Sequence, residues 1–324
     1  MSSIRDKFER AGGLQTVRRY ADAHVLLFAA AETAMHGLSQ KSLEIVRLGV
    51  SNKVLGRLRR KNRLFIHEYL RREAAEKRKG EKTLSAPEGK IWFLWMDGME
   101  NAPETVQMCA QSLKENLPGR EIVFLSEENM RDHVCFPGFI EEKYNKGIIT
   151  KTHMSDLLRL ELLVRHGGTW VDATVFCTGG DIPGYMLDSD LFLFQDLKPG
   201  LDGHCQRTSS WLITARPYHP ILRLTRALLY EYWRKHDKMV DYFLLHDFLE
   251  LAIETYPEEW DKVVPCSNAA PHILLLRLFE PCDEQVLEAV KAVTPFHKLT
   301  YKFEEGKEEL PGTYYQALRG MLRK

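Results

Sequence analysis

The fold class of this chain can be read from residues 153–177, whose sequence is HMSDLLRLELLVRHGGTWVDATVFC. On a helical wheel, leucines and a valine cover most of the circumference of the first half, which indicates a helix buried on nearly all sides. The pair Gly167-Gly168 predicts the end of this helix, because glycine readily adopts the left-handed conformation of helix C-termini. Residues 169–172 (TWVD) then favour a strand. The segment therefore predicts a helix over 152–166 that leads directly into a buried strand.

The same alternation continues on both sides of this segment. Residues 90–96 (KIWFLWM) and 121–125 (EIVFL) have the aromatic and β-branched composition of strands, and Pro103 opens a helix between them. Strand, helix, strand, helix and strand in series predict an α/β layer with a mainly parallel sheet. Further downstream we predict strands at 191–195 and 211–214 and helices at about 219–234, 240–256 and 284–293.

Residues 1–86 differ from the remainder in charge and pattern. They carry 19 Lys and Arg against 9 Asp and Glu, whereas residues 87–324 carry 26 against 36. Apolar periodicity predicts helices there, one through 25–31, a second over about 42–60 and a third through 64–70. The segment Ser85-Ala86-Pro87-Glu88-Gly89 contains residues that break helices and strands. The sequence thus predicts a basic helical N-terminal region, 1–86, followed by a globular domain, 87–324.

Six positive and no negative side chains lie between Lys53 and Arg63. Such a cluster fits a solvated helix face, a contact with anionic lipids, or a nucleic-acid patch. Aromatic residues for base stacking are sparse in this segment, so we do not expect nucleic acid as a partner. An anionic membrane surface is the partner that the cluster favours, with plain solvation as the alternative.

Several classes of protein do not fit the composition. The longest apolar run, residues 25–31, has seven residues, whereas a transmembrane helix needs about 20. Residues 1–10 carry five charges and no apolar segment typical of a secretory signal. The six cysteines show no CxxC pair, which argues against a zinc site or a disulfide framework and for reduced thiols. We expect a cytoplasmic protein, associated peripherally with the cytoplasmic face of a membrane.

Three charged residues of the 153–177 segment are candidates for a site. Asp156 and Arg159 lie three residues apart on one flank of an otherwise apolar helix, where charges need partners. They can form a mutual ion pair or face a polar ligand. Asp172 ends a buried strand, and ligands of parallel sheets bind at the carboxyl ends of strands. This carboxylate can cap the following turn, bind a ribose hydroxyl or bind a metal ion that neutralises phosphate.

These motifs resemble the capsular polysaccharide synthesis proteins, which are sugar-transferring enzymes related to glycosyltransferase family 32. The chain is more distantly similar to the glucosylating domains of large clostridial toxins. The resemblance covers about residues 90–305 and is carried by six segments: IWFLWMDGMENAPETV (91–106), SDLLRLELLVRHGGTWVDATVFCTG (155–179), SWLITA (210–215), DYFLLHDFL (241–249), NAAPH (268–272) and FHKLTYK (296–302).

This resemblance implies a GT-A fold, which is a Rossmann-like nucleotide-sugar-binding fold, and a retaining glycosyltransferase. The implied donor is a nucleotide-sugar, with a UDP-sugar expected, and the implied acceptor is a saccharide or a lipid-linked saccharide. The alternative is a non-catalytic nucleotide-sugar or carbohydrate-binding protein on a degenerate GT-A fold.

The resemblance also assigns positions in the donor site. Trp95 would lie against the nucleotide base, while Trp170 and Asp172 would lie beside the ribose and diphosphate. Ser155 would face the donor, with Asp156 and Arg159 near the sugar hydroxyls and phosphate as the catalytic pair. Aromatic faces that stack on bases and carboxylates that accept from hydroxyls fit these assignments.

One departure from the family pattern concerns the metal ion. Relatives usually carry Asp-X-Asp, whose final Asp binds Mn²⁺, whereas this chain has Asp172-Ala173-Thr174. The resemblance implies a divalent metal, Mn²⁺ or Mg²⁺, at Asp172. Threonine is a weak neutral ligand, so the triplet itself puts tight binding of this metal in doubt. The site can instead use cationic side chains.

Three more residues are candidates with an equally good structural interpretation. His297, with Lys298 beside it, can be a late metal ligand or phosphate contact, or a core histidine. Asp241 can reach the acceptor or the anomeric carbon, or it can cap a helix. His272 has the same ambiguity.

Overall fold

The computed structural model describes residues 13–77, 89–196 and 205–322. Within these residues a five-stranded sheet has the order β2-β1-β3-β6-β5, and β4 pairs with β7 in a separate two-stranded sheet. The strands are β1 (Lys90–Leu94), β2 (Glu121–Leu125), β3 (Gly168–Val171), β4 (Val175–Cys177), β5 (Leu191–Gln195), β6 (Thr208–Ala215) and β7 (Phe296–Lys298).

Three of the described helices precede the first strand in the chain, and the others come between the strands or after them. They are α1 (Gly13–Asp22), α2 (Leu26–His36), α3 (Gln40–Lys77), α4 (Glu104–Asn116), α5 (Met130–His133), α6 (Gly138–Asn145), α7 (Lys151–Arg165), α8 (Gly184–Leu187), α9 (Pro220–Lys235), α10 (Leu244–Thr255), α11 (Pro257–Trp260), α12 (Ile273–Arg277), α13 (Glu284–Val293) and α14 (Tyr314–Met321). Short 3₁₀ turns occur at Met99–Asn101, Ala270–His272 and Lys307–Glu309.

The five-stranded sheet is mixed, which corrects the expectation of a mainly parallel one. β1 runs parallel to both β2 and β3, with Trp92 opposite Trp170. β6 is antiparallel to β3 and to β5. Two of the four strand pairings in this sheet are therefore antiparallel, and both involve β6. The two parallel pairs place the carboxyl ends of β1 and β3 side by side.

The connection from α7 to β3 forms as the glycine pair predicts. The Thr150 side chain accepts a hydrogen bond from the His153 N–H and caps the start of α7. At its end, Gly167 has φ of 68° and Gly168 has φ of 88°, both in the left-handed region. A Cβ on Gly167 would lie 2.7 Å from Pro217 Cδ, so a larger residue does not fit there. This turn lets the chain enter β3 at once and places Asp172 at the end of the strand.

The described helices of the N-terminal region pack against the rest of the fold. The two helices predicted over 42–70 are one continuous helix, α3, because nothing in the intervening Lys-Asn-Arg segment interrupts helical geometry. Its buried apolar side chains belong to the same hydrophobic cluster as side chains of α9 and α10. Among these are Val46, Val50, Val54 and Leu58 from α3 and Leu228 and Phe248 from the two later helices.

Polar contacts also tie α3 to the rest of the fold. Arg59 forms an ion pair with Glu254, and the buried Glu73 accepts a hydrogen bond from Tyr256 Oη at 2.8 Å. The predicted boundary at residues 86 and 87 lies outside the described residues, so the division into 1–86 and 87–324 stays a prediction. None of the described helices is long and apolar enough to span a membrane.

The small β4–β7 sheet was not predicted. In this sheet, the strand that follows Asp172 pairs with the FHKLTYK segment. Val175 lies opposite Lys298, and Phe176 lies opposite His297. Neighbouring residues of a strand point to opposite faces. The side chains of His297 and Lys298 therefore point to opposite faces of the small sheet. A ligand on one face can contact only one of the two.

Candidate active site

A cleft of about 400 Å³ lies at the carboxyl ends of β1 and β3. Because neighbouring parallel strands end there, residues far apart in the sequence meet on one surface. Its lining combines aromatic, acidic and basic side chains: Trp95, Asp97, Lys151, Thr152, Ser155, Asp156, Arg159, Trp170, Asp172, Thr174, Ser210, Tyr242, His246, Lys298 and Tyr301. Six of the residues predicted for the donor are thus in one cleft.

Asp172 lies at the centre of the polar contacts in this cleft. Its Oδ1 accepts hydrogen bonds from Arg159 Nη2 at 3.1 Å and from Trp170 Nε1 at 2.9 Å, and its Oδ2 accepts from Lys298 Nζ at 2.8 Å. Burial raises the pKa of this carboxyl, but Lys298 and Arg159 outweigh that effect and hold the pKa below its ordinary value. Asp172 is therefore ionised at neutral pH.

Arg159 connects the two carboxylates of the cleft. Only 4% of this residue is exposed, and its Nη1 donates to Asp156 Oδ1 at 3.1 Å while Nη2 donates to Asp172. The guanidinium carbon also lies 4.8 Å from the centre of the Trp170 ring, a cation–π contact. The mutual ion pair, one of the two alternatives for Asp156 and Arg159, is present, and both residues also line the cleft.

His153 is a member of this cluster that the sequence analysis missed. Trp233 Nε1 donates to His153 Nε2 at 2.8 Å, so the proton of the neutral ring belongs on Nδ1. Nδ1 lies 3.3 Å from Asp156 Oδ2, and the His153 side chain is almost fully buried. The buried ring therefore lies directly behind Asp156, at close range but without a hydrogen bond to it. The signal in the sequence was its position three residues before Asp156 on the same helix.

Lys298 is the second cation of the cleft. Its Nζ lies 2.8 Å from Thr174 Oγ1 as well as 2.8 Å from Asp172 Oδ2, so it joins the first and third residues of the Asp-Ala-Thr triplet. Both oxygens of Asp172 accept from cationic groups. Among the described residues, no group of three His, Cys, Asp or Glu side chains is arranged to hold a metal ion. The residues present do not fit a divalent metal at Asp172.

Aromatic side chains form two walls of the cleft. The rings of Trp95 and Tyr301 meet edge to face, with centroids 5.2 Å apart and an interplanar angle of 88°. Tyr242 and His246, from the DYFLLHDFL segment, lie on the lining as well. Ser155 is at the surface of the cleft, where its hydroxyl donates to the Thr152 carbonyl at 2.6 Å.

His297 does not line the cleft, which corrects its expected role as a ligand. It is fully buried behind β7, and its Nε2 lies 3.2 Å from Thr178 Oγ1. Burial, helped by the nearby Lys291 charge, lowers the pKa of His297 to about 4. The ring is therefore a neutral core histidine at neutral pH, and the alternation of β7 gives its neighbour Lys298 the place in the cleft.

Asp241 and His272 also lie away from the lining. Asp241 Oδ1 accepts from the Phe243 N–H at 2.8 Å, in the turn that precedes α10. This contact lies within the turn and does not cap α10, whose N-cap is Phe243, so the capping interpretation is not confirmed and the catalytic one stays a prediction. His272 Nδ1 lies 2.7 Å from the Asn268 carbonyl oxygen, and its ring packs edge to face on Trp211. It is Tyr242 and His246, close to Asp241 in the sequence, that reach the cleft.

A charged and aromatic cleft at the carboxyl ends of neighbouring parallel strands is typical of α/β proteins that bind small polar ligands at this edge of the sheet. Comparison of sequences then gives the family. Residues 40–318 match the family model described as capsular polysaccharide synthesis protein, which is most of the 324 residues. The chain belongs to the capsular polysaccharide synthesis protein family. This confirms the resemblance of the motifs and extends it to α3, which the motifs did not include.

The other comparisons add little. No curated protein sequence matches this chain significantly. Among solved structures, the chain is similar to the PaToxG glycosyltransferase, with 15% sequence identity and a TM-score of 0.37. That alignment covers 82% of this chain and 97% of the other. A similarity of this size supports no inference about substrate or mechanism.

Proposed function

We propose that this protein is a glycosyltransferase of GT-A type in capsule or cell-surface polysaccharide synthesis. It transfers a sugar from a nucleotide-sugar donor, expected to be a UDP-sugar, to a saccharide or lipid-linked saccharide acceptor, with retention of the anomeric configuration. The observation that carries the proposal is the cluster of Asp156, Arg159 and Asp172 in one cleft, at the edge of the sheet where such ligands bind.

Each part of a nucleotide-sugar finds suitable chemistry in this cleft. Trp95 and Tyr301 offer aromatic surface to the base. Asp156, bonded to Arg159 and next to His153, presents a carboxylate that can accept from sugar hydroxyls. Asp172 is ionised and can accept from ribose hydroxyls, and the two cations beside it carry the charge opposite to that of a diphosphate.

The second candidate function is a binding protein without catalysis. Thr174 favours it, because this residue stands where the family usually has a second aspartate. A nucleotide-sugar-binding protein requires donor binding just as the transferase does, and only the transferase requires that the bond between the sugar and the diphosphate breaks. Donor turnover therefore separates them.

The test is a donor screen with the purified full chain. UDP-, GDP- and CMP-sugars are each incubated with the protein, with and without Mn²⁺ or Mg²⁺, and both hydrolysis and the change in melting temperature are measured. We expect hydrolysis and thermal stabilisation by at least one UDP-sugar. Stabilisation without hydrolysis, even with acceptor saccharides added, would support the binding protein. Neither effect with any donor would contradict both functions.

A further inference from the structure

The contacts of Lys298 indicate a role for this residue in the transfer step. This role rests on the proposed function and adds to it. We propose that the Lys298 ammonium and the Arg159 guanidinium together stabilise the departing nucleoside diphosphate, so that transfer proceeds without a divalent metal ion. Lys298 thereby becomes a catalytic residue that contacts the phosphate oxygens of the donor.

The geometry fixes Lys298 in this position. Its backbone pairs with Val175 in the β4–β7 sheet, three residues after Asp172. An ammonium group has three N–H donors. Two are directed to Asp172 Oδ2 and Thr174 Oγ1, each at 2.8 Å, which leaves the third for a ligand. About 19% of the side chain is exposed, and it lines the cleft.

A divalent metal and Lys298 would compete for the same atoms. A metal bound to Asp172 Oδ2 would lie next to an ammonium group that is itself 2.8 Å from that oxygen, and the two positive charges would repel each other strongly. Thr174 supplies a neutral oxygen in place of a second carboxylate, which removes the charge that usually holds such a metal. Arg159 already occupies the other oxygen of Asp172. The cluster is therefore complete with two cationic side chains.

The chemical step is balanced without a further reactant. The bond between the anomeric carbon and the phosphate oxygen breaks, and its electron pair leaves with the nucleoside diphosphate. The acceptor hydroxyl oxygen forms a new bond to the same carbon, and its proton passes to the departing phosphate oxygen. Two fixed cations offset the negative charge that grows on the diphosphate in the transition state, the interaction that generally matters most in such reactions.

The first experiment measures the steady-state hydrolysis of the active donor by the full chain in EDTA. We expect the wild-type rate to change less than twofold in EDTA. Lys298→Ala should lower kcat by about 10²–10³-fold, the usual effect of losing one such contact, and Lys298→Arg should recover part of it. Lys307→Ala is the matched control, since it removes a lysine that pairs with Glu304 outside the cleft. Loss of wild-type turnover in EDTA with recovery in Mn²⁺ would overturn the proposal, as would an unchanged kcat in Lys298→Ala.

A second measurement does not depend on turnover. Mn²⁺ binding is followed by electron paramagnetic resonance in the wild type and in the double variant Thr174→Asp/Lys298→Ala, which restores the carboxylate pair and removes the ammonium. We expect binding in the double variant and none in the wild type. Tight Mn²⁺ binding by the wild type would overturn the proposal. A wild type that neither binds nor hydrolyses any donor would instead show that the proposed function is wrong.

Discussion

Asp172 receives hydrogen bonds from a lysine, an arginine and a tryptophan that come from three different parts of the chain. A carboxylate held in this way cannot reorient freely, so the cleft presents a fixed pattern of charge. Asp156 accepts a hydrogen bond from Arg159, and the buried His153 ring packs beside it. Preorganised charge of this kind lowers a reaction barrier because the protein does not need to rearrange as charge develops.

The buried His297 leads to a prediction about pH. The pKa of this group is about 4 in the folded protein and about 6.5 when unfolded, so between these values the unfolded chain binds the extra proton. The stability contributed by the neutral ring is present above pH 6.5 and is lost as the pH falls toward 4. His219, with a pKa also lowered to about 4 mainly by burial, acts in the same direction.

We expect His297→Gln to reduce this pH dependence without removing it. Between pH 4.5 and 6.5 the free energy of unfolding should rise less steeply with pH in the variant, by up to about 1.4 kcal/mol per pH unit, which is one proton. Urea unfolding at several pH values measures the slope. Donor affinity at pH 7.5 should be unchanged, because the ring lies outside the cleft. Equal slopes for the two proteins, or a large loss of donor affinity, would contradict this account.

Among the elements, α3 carries the predicted membrane contact. Part of its apolar side chains, such as Val50 and Val54, is buried in the core, while Arg60, Lys61 and Arg63 are exposed. Exposed cations near an anionic bilayer contribute about 1 kcal/mol each. We propose that this surface attaches the protein reversibly to anionic membranes.

Charge reversal tests this attachment. The full chain should sediment with anionic vesicles at low salt and be released at high salt, because surface charges are screened over about 8–10 Å at physiological ionic strength. The triple variant Arg60→Glu/Lys61→Glu/Arg63→Glu should remain in the supernatant and keep donor hydrolysis. The control reverses three other lysines, Lys262, Lys302 and Lys307. Equal sedimentation of both variants would show that the α3 surface is not the contact.

Individual elements were predictable to different degrees. The strands at 121–125 and 191–195 and the helix at 284–293 have the predicted bounds, because their apolar pattern is local and unambiguous. β4 and β7 were missed because each has only three residues and they pair across more than 100 positions. The cluster of Asp156, Arg159 and Asp172 was predictable from spacing along one helix and strand. The sequence could not decide whether His297 or Lys298 faces the cleft. Alternate residues of a strand point to opposite faces, and the register of this strand was unknown.

For the whole molecule, the shared core predicts that the N-terminal region cannot be removed. Val46, Val50, Val54, Leu55 and Leu58 are all buried in the cluster that includes α9 and α10. Burying one such side chain contributes roughly 1.5–3 kcal/mol, so the five together contribute about as much as the usual stability of a whole domain. A chain that begins at residue 89 should therefore lose cooperative unfolding and donor hydrolysis, as measured by circular dichroism and turnover. A cooperatively folded and active truncated chain would contradict the shared core.

The account as a whole depends on donor contact by the Asp156–Arg159 pair, and the rate of donor hydrolysis per folded molecule in Asp156→Asn tests this contact. Asp188→Asn is the matched control, because Asp188 also pairs with an arginine, Arg120, but lies outside the cleft. We predict that Asp156→Asn folds, as judged by its melting curve, and hydrolyses the donor about 10²–10³-fold more slowly than the wild type and the control. A variant that is less stable but hydrolyses the donor at the wild-type rate per folded molecule would show that the pair is structural and that the donor binds elsewhere.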